Sequence, residues 1–341
     1  MTAILFRCDA GKSPEIGTGH VSRCIHLATL LVKKNYFSKK EISFLTKNSK
    51  GFEFGKKYLN SYDFKLFCIN SQKIENNSLF EAKEIIKINP KLVIIDRLRT
   101  TKDFILRIKN HGIKVVSFDD YGYGRNFTNL SINAIFDNIK DAKNITKGLE
   151  YLILKKSLKK KYIRKKVRYI VATFGGFDFR NLSKFFIENI SYISNDIRIY
   201  IILGEVSERQ IKQYRRLKEK SKNFWNIEIL IKPDNFRELI SMADIGVSSG
   251  GITIYDFANS RVPTISIPQY SHQLNTIKKL HKMGVSMLGS KSMKLNHKYF
   301  ENTMQKLING YDLRKKMTHA ATKNFDDKGS HRVLMKLSKL I

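Results

Sequence analysis

Short apolar runs alternate with helix-periodic stretches along the whole chain. In the first half the runs are Ala3 to Phe6, Ile42 to Leu45, Phe64 to Ile69, Leu92 to Ile95 and Val115 to Phe118. Between them lie the helically spaced Ile25, Leu27, Ala28 and Leu31, then helical patterns around residues 50–59, 78–88 and 101–110. Strands alternating with helices at this spacing predict repeated βαβ units and a mostly parallel sheet. Tyr121 to Asn144 reads as a loop with one short strand near Ala134 to Phe136.

The pattern then starts again. Val167 to Thr173 is a strand running into Phe174-Gly175-Gly176-Phe177-Asp178, followed by a helix carrying Leu182, Phe185, Phe186 and Ile190. Strands at Ile197 to Leu203, Ile227 to Ile231, Ile245 to Val247 and Val262 to Ile267 alternate with helices at Gln210 to Lys220, Phe236 to Met242 and Thr253 to Asn259. From Gln273 onward the chain is mainly helical. At 341 residues it exceeds the size at which one core stops growing. The expected class is α/β: two Rossmann-like domains, residues 1–157 and 158–341, with a cleft between them and a helical C-terminal tail.

Charge changes this picture less than its size suggests. Lysine and arginine number 63 against 30 acidic residues, a formal charge of +33, and such a field concentrates polyanions near the surface. Nucleic acid, anionic lipid headgroups and diphosphate substrates all qualify. The basic residues are dispersed, however, and no nucleic-acid recognition module stands out, so no nucleic-acid partner is expected. One cluster is dense: Lys155 to Arg168 holds nine basic residues in fourteen positions. It reads as a solvated connection between the domains or, alternatively, as a weak peripheral contact with an anionic membrane. Cys8, Cys24 and Cys68 lack C-x-x-C spacing, which argues against a disulfide scaffold or a structural zinc site, and no metal or cofactor is expected. No apolar stretch approaches the roughly eighteen residues needed to span a bilayer, and the N-terminus lacks a signal-peptide pattern, so a cytoplasmic location is expected.

Candidate chemistry gathers at predicted strand ends. Ile16-Gly17-Thr18-Gly19-His20-Val21-Ser22-Arg23-Cys24 follows the first strand and opens a helix, which puts His20 near a helix N-terminus. Small residues admit a ligand there, and free N–H groups favour an anion. Asp96, Asp119 and Asp120 close strands in the position of the ligand crevice of an open parallel sheet; alternatively they start loops or cap helices. Ser248-Ser249-Gly250-Gly251, between strand and helix, reads as an anion cradle, with Gly175-Gly176 at a corresponding strand end and Asp256 placed for ribose hydroxyls. Standard fingerprints fail: Gly11-Lys12-Ser13 lacks the earlier P-loop glycine, Gly17-Thr18-Gly19 lacks the third dinucleotide glycine, and neither a serine-hydrolase elbow nor a zincin motif occurs.

Phe6-Arg7-Cys8-Asp9 with the Ile16 to Cys24 motif closely resembles the start of the UDP-2,4-diacetamido-2,4,6-trideoxy-β-L-altropyranose hydrolases of pseudaminic acid biosynthesis. Ile95-Asp96, Ser117 to Asp120, Gly175-Gly176-x-Asp178, Asn181-Leu182, Ser249-Gly250-Gly251 and Gln273 continue the resemblance in order. It implies a glycosyltransferase-B-like fold and a UDP-sugar substrate. Gly175, Gly176, Ser248 to Gly251 and Asp256 would hold UDP, and Gly17, Gly19, Asp96 and Gln273 would lie on the sugar side. It further implies metal-independent, inverting hydrolysis by a water that His20 activates, with Asp9 the candidate to orient the imidazole. The chain departs from the family at Arg97-Leu98, where a tyrosine is common at the second position, at His272 in place of asparagine, and at Asp256 in place of glutamate. The alternative function is a UDP-sugar-dependent glycosyltransferase of surface polysaccharide synthesis, whose basic surface would serve membrane association.

Overall fold

The computed structural model describes residues 2–11, 17–70, 79–135, 140, 142–160, 162–220 and 224–340. The chain divides into two compact units, Met1–Lys155 with Lys328–Ile341, and Lys156–Asp327.

The first unit is a seven-stranded parallel sheet. Its strands are β1 (Ile4–Cys8), β2 (Ile42–Lys47), β3 (Lys65–Ile69), β4 (Leu92–Asp96), β5 (Lys114–Phe118), β6 (Leu130–Asn133) and β7 (Ile145–Lys147), in the order β3-β2-β1-β4-β5-β6-β7. All of β1 is buried because helices cover both faces, which is why parallel strands read as unbroken apolar runs. Alternate residues serve opposite faces. Ile4, Phe6 and Cys8 pack with Val21, Cys24 and Leu27 of α1 (Gly19–Lys33), whereas Leu5 packs with Ala82 and Ile85 of α3 (Phe80–Ile88) and Ile105 of α4 (Lys102–Lys109). A short helix α2 (Glu53–Asn60) connects β2 to β3.

The second unit has six parallel strands, β8 (Tyr169–Thr173), β9 (Arg198–Leu203), β10 (Ile227–Ile231), β11 (Ile245–Ser248), β12 (Thr264–Ser266) and β13 (Ser286–Leu288), in the order β10-β9-β8-β11-β12-β13. Its helices are α5 (Leu182–Glu188), α6 (Glu208–Glu219), α7 (Phe236–Met242), α8 (Ile252–Asn259), α9 (Gln273–Lys282), α10 (His297–Asn309) and α11 (Tyr311–Asn324). In both sheets the strand order reverses beside the first strand, which sets a ligand crevice beyond the carboxyl ends of β1 and β4, and of β8 and β11.

Three features differ from the sequence reading. The last helix, α12 (Gly329–Ser338), joins the first unit and not the second, because Val333, Leu334 and Leu337 enter the core that contains Val21 and Leu27. The strand placed near Ala134 to Phe136 lies at Leu130–Asn133, and Phe136 is outside the described residues. The basic segment is not a solvated linker throughout. Lys160 is buried, with Nζ donating to Asp244 Oδ1 at 2.5 Å and to the Ala243 carbonyl at 2.5 Å. Arg164 reaches Asp244 at 3.1 Å, and the backbone N–H groups of Arg168 and Tyr169 donate to its other oxygen at 2.8 and 3.2 Å. Burial alone would raise the Asp244 carboxyl, but Lys160 and these donors outweigh it and hold it below the usual carboxylate range. Among the described residues no helix is long and apolar enough to cross a membrane, and no group of three or more His, Cys, Asp or Glu is placed to hold a metal ion.

Removing one partner of a buried pair strands the other charge. Lys160→Met is therefore expected to destabilise the second unit by about 3 kcal/mol, toward the low end of that penalty because Arg164 and two N–H groups remain on Asp244. Urea denaturation of the full chain would check it; a loss below about 0.5 kcal/mol would show the pair to be incidental.

Candidate active site

The Gly17 to Cys24 segment forms the entry to α1, which begins at Gly19 with Thr18 as an N-cap whose side chain makes no capping bond. Ile16 lies outside the described residues. Among the described residues nothing comes within 4 Å of a Cβ placed on Gly17. His20, on the first turn, is 16% exposed, and its Nδ1 meets Asp96 Oδ1 at 2.5 Å. Asp96 is the last residue of β4 and pairs in register with Cys8 at the end of β1.

Arg23 completes the arrangement. Three positions after His20, it shares a face of α1 with the imidazole. Its Nε donates to Asp96 Oδ2 at 2.5 Å and its Nη2 to Oδ1 at 2.5 Å, while Nη1 donates to Asp119 just beyond β5. Cys24 Sγ lies 3.4 Å from Asp96 Oδ2. Burial would raise the Asp96 carboxyl, yet the charges and hydrogen bonds of Arg23 and His20 outweigh it and hold the group far below the usual carboxylate range. An ionised Asp96 fixes the proton of a neutral imidazole on Nδ1, leaving the Nε2 lone pair available as a base.

Asp9 does not orient the imidazole, contrary to the sequence reading. It accepts from Arg7 Nη1 at 2.6 Å and from the Lys47 N–H at 2.8 Å, because it follows β1 on the side where β2 ends. Arg7, almost fully buried, also donates to Glu81 Oε1 at 2.7 Å, and Arg97 pairs with the same carboxylate. Burial would raise both Asp9 and Glu81, but Arg7 and Arg97, joined at Asp9 by the Lys47 N–H, together outweigh it and both stay below the usual range. Arg97, where the chain departs from the family pattern, is engaged with Glu81 and lies over the Phe104 ring. Asp120 is a loop brace: it accepts from the N–H groups of Thr100 and Gly122 at 3.0 and 2.7 Å, and burial pushes it up. Arg23 and Glu81 are the members that sequence reasoning missed. Arg23 had a readable signal in its spacing from His20.

In the second unit, the adjacent strands β8 and β11 bring Gly175-Gly176 and Ser248 to Gly251 together, with Ser248 in register with Thr173. Gly175 has φ +88°, a left-handed conformation that favours glycine. A Cβ on Gly250 would lie 2.8 Å from Gln273 Cβ and 2.9 Å from Ile277, whereas one on Gly251, the N-cap of α8, would make ordinary contacts at 3.7 Å to Gln273 Nε2 and 3.8 Å to Ser249 Oγ. Gln273 is a buried brace and not a ligand contact through its carbonyl: Oε1 accepts from the N–H groups of Gly250 and Gln269 at 3.2 and 2.9 Å. Ser248 is also withdrawn, fully buried with an unpartnered Oγ. Ser249 is buried, and Asp256 is half-buried on α8. Asp178, in the Gly-Gly-x-Asp motif, accepts from the N–H groups of Leu182 and Ser183 at 2.7 Å each and so tethers the start of α5.

Residues 170–333 match the model of the glycosyltransferase family 28 C-terminal domain. Over the full length, the fold is similar to that of MurG of Acinetobacter baumannii (TM-score 0.72, 14% identity, 99% of this chain and 100% of that one). The architecture is glycosyltransferase-B-like. A UDP co-structure of MnaA from S. aureus has a TM-score of 0.67 at 13% identity, covering 100% of this chain and 98% of that one. In sequence, the chain is 29% identical over 293 residues to the uncharacterized protein MJ1062 of Methanocaldococcus jannaschii, covering 79% of this chain and only 58% of that longer protein. It is 22% identical to the spore coat polysaccharide biosynthesis protein SpsG of Bacillus subtilis, covering 96% of this chain and 95% of SpsG.

The depressed carboxyls of the first unit give a pH dependence of stability. Asp9, Glu81 and Asp96 have folded-state values below their unfolded ones, so their contribution is complete above the unfolded range near pH ~4 and is lost as pH falls through the lower folded values. Urea melts at stepped pH are expected to show a first-unit transition that is flat between about pH 7 and 5 and weakens below about pH 4, with a shallower acid limb in Asp96→Asn. An acid limb unchanged by that substitution would mean Asp96 is not held ionised by its neighbours.

Proposed function

We propose that this chain is a UDP-sugar-dependent enzyme in which His20 activates a hydroxyl nucleophile for displacement of UDP at the anomeric carbon, and that the nucleophile is an acceptor hydroxyl in surface polysaccharide synthesis. The observation that carries the reading is the contact of His20 Nδ1 with the buried, ionised Asp96. A base held in that tautomer takes the nucleophile's proton on Nε2 as the new C–O bond forms and the bond from the anomeric carbon to the diphosphate oxygen breaks. The electron pair leaves with UDP, and attack opposite the leaving group inverts the anomeric centre. In the second unit the positive end of α8, which has no side-chain cap, suits the charge of a diphosphate.

The glycosyltransferase family 28 match over residues 170–333 supports transfer to an acceptor, the relationship to a polysaccharide biosynthesis protein supports a polysaccharide context, and the UDP complex among the structural neighbours supports a UDP ligand. A second reading, hydrolysis of a UDP-linked deoxy-diacetamido sugar by water, is supported by the Ile16 to Cys24 motif and its resemblance to the pseudaminic acid pathway hydrolases. The His20–Asp96 couple serves either nucleophile.

UDP release from a panel of UDP-sugars, followed by NMR of the anomeric proton with and without acceptor glycans, separates the two. Release that requires an acceptor supports transfer; release with free sugar in buffer alone supports hydrolysis. His20→Ala is expected to bind UDP like the parent chain while turnover falls by roughly 10² to 10⁴, the range for a lost general base. A fully active His20→Ala enzyme would remove His20 from the mechanism.

A further inference from the structure

The N-terminal edge of the second unit's sheet carries a surface that the reaction does not use. Four neighbouring strands, β10, β9, β8 and β11, start along it, a span of about 14 Å at the usual strand spacing. Trp225 stands just ahead of β10 and is 91% exposed, and the Asn226 side chain ties that turn to the Ile197 carbonyl at 2.7 Å. Arg198 begins β9, and its N–H donates to the carbonyl of Arg168, which immediately precedes β8. Both side chains are exposed, as are Lys165 and Lys166 just before them. At the β11 end, Arg164 is held by Asp244 and donates to the hydroxyl of Tyr162, which is 62% exposed. Asp196 and Glu228 are exposed acidic residues near this edge; a hydrogen bond from Ser194 and the field of Arg168 and Lys166 hold the Asp196 carboxyl below the usual range.

We propose that this edge, with Trp225 and Tyr162 at its ends and Lys165, Lys166, Arg168 and Arg198 between them, docks the protein on an anionic lipid bilayer. Indole and phenol rings at opposite ends suit the headgroup level of a membrane, where such amphipathic rings concentrate, and the cations between them complement anionic headgroups. A single-stranded nucleic acid would instead call for rings at successive base positions. Because the strands are parallel, Gly175-Gly176 and Ser248 to Gly251 lie at the opposite ends of the same strands, so docking here leaves the ligand edge uncovered. The basic segment ahead of β8 then has a use beyond connecting the units.

Trp225 is the only tryptophan, so its fluorescence reports this edge directly. Mixing the full chain with phosphatidylcholine vesicles containing phosphatidylglycerol is expected to shift its emission to the blue and to co-sediment the protein, both reversed by salt; pure phosphatidylcholine vesicles should do neither. Arg168→Glu with Arg198→Glu should lower partitioning about tenfold or more, with an unchanged thermal melt. Trp225→Ala, followed by co-sedimentation, should also weaken it while leaving the charge unaltered. Unshifted emission with anionic vesicles, undiminished partitioning of both variants, or a shift produced by a single-stranded oligonucleotide and not by vesicles would overturn the proposal.

Discussion

A carboxylate with no solvent contact survives at a strand end only if its charge is met in full, and Asp96 is in that position. The planar fork of Arg23 supplies two donors, from Nε and Nη2, to its two oxygens, and the third nitrogen of that guanidinium, Nη1, donates to Asp119 at the neighbouring strand end. One arginine therefore joins the ends of β4 and β5 to the first turn of α1. With that turn fixed, His20 has one place to put Nδ1. The imidazole's orientation is thus a by-product of satisfying a buried charge, and the same ion pair that stabilises the fold prepares the base.

The second network follows the same rule on the other face of the sheet. Arg7 points away from the Phe6 and Cys8 side, toward α3, where it shares Glu81 with Arg97 and where Asp9 closes the circuit with the end of β2. In this second network two arginines face two carboxylates, so it adds nothing to the large positive charge of the chain. In the second unit, side-chain amides take over the bracing: Gln269 accepts from the Phe179 N–H and donates to the Phe174 carbonyl, and Gln273 gathers Gly250 and Gln269. These neutral clamps shape the glycine loops while adding no charge that would repel a diphosphate.

The strands of both sheets were legible because buried parallel strands are apolar without interruption, as in Leu92 to Ile95 and Ile199 to Leu203. Leu130–Asn133 was misplaced for the converse reason: Ser131 and Asn133 are buried but polar, with the Ser131 hydroxyl accepting from Ser117 and from Asn133 Nδ2, so no apolar run marks the strand. The candidate histidine was legible from its glycines and helix start. Its partner was not, since Asp9 stands nearer in sequence and only the pairing of β1 with β4 brings Asp96 alongside. Lys160 illustrates the same limit. A lysine among lysines reads as solvated until the fold places Asp244, far along the chain, against it.

The return of α12 to the first unit has a consequence for how the protein is made. Val333, Leu334 and Leu337 complete a core whose other members are encoded at the beginning of the chain, whereas the second unit is contiguous from Lys156 to Asp327. During synthesis the second unit can therefore close while the first still waits, with part of its apolar surface uncovered, for residues that follow the second unit. The order of completion runs opposite to the order of translation, and the half that carries the histidine is finished only when its final helix leaves the ribosome.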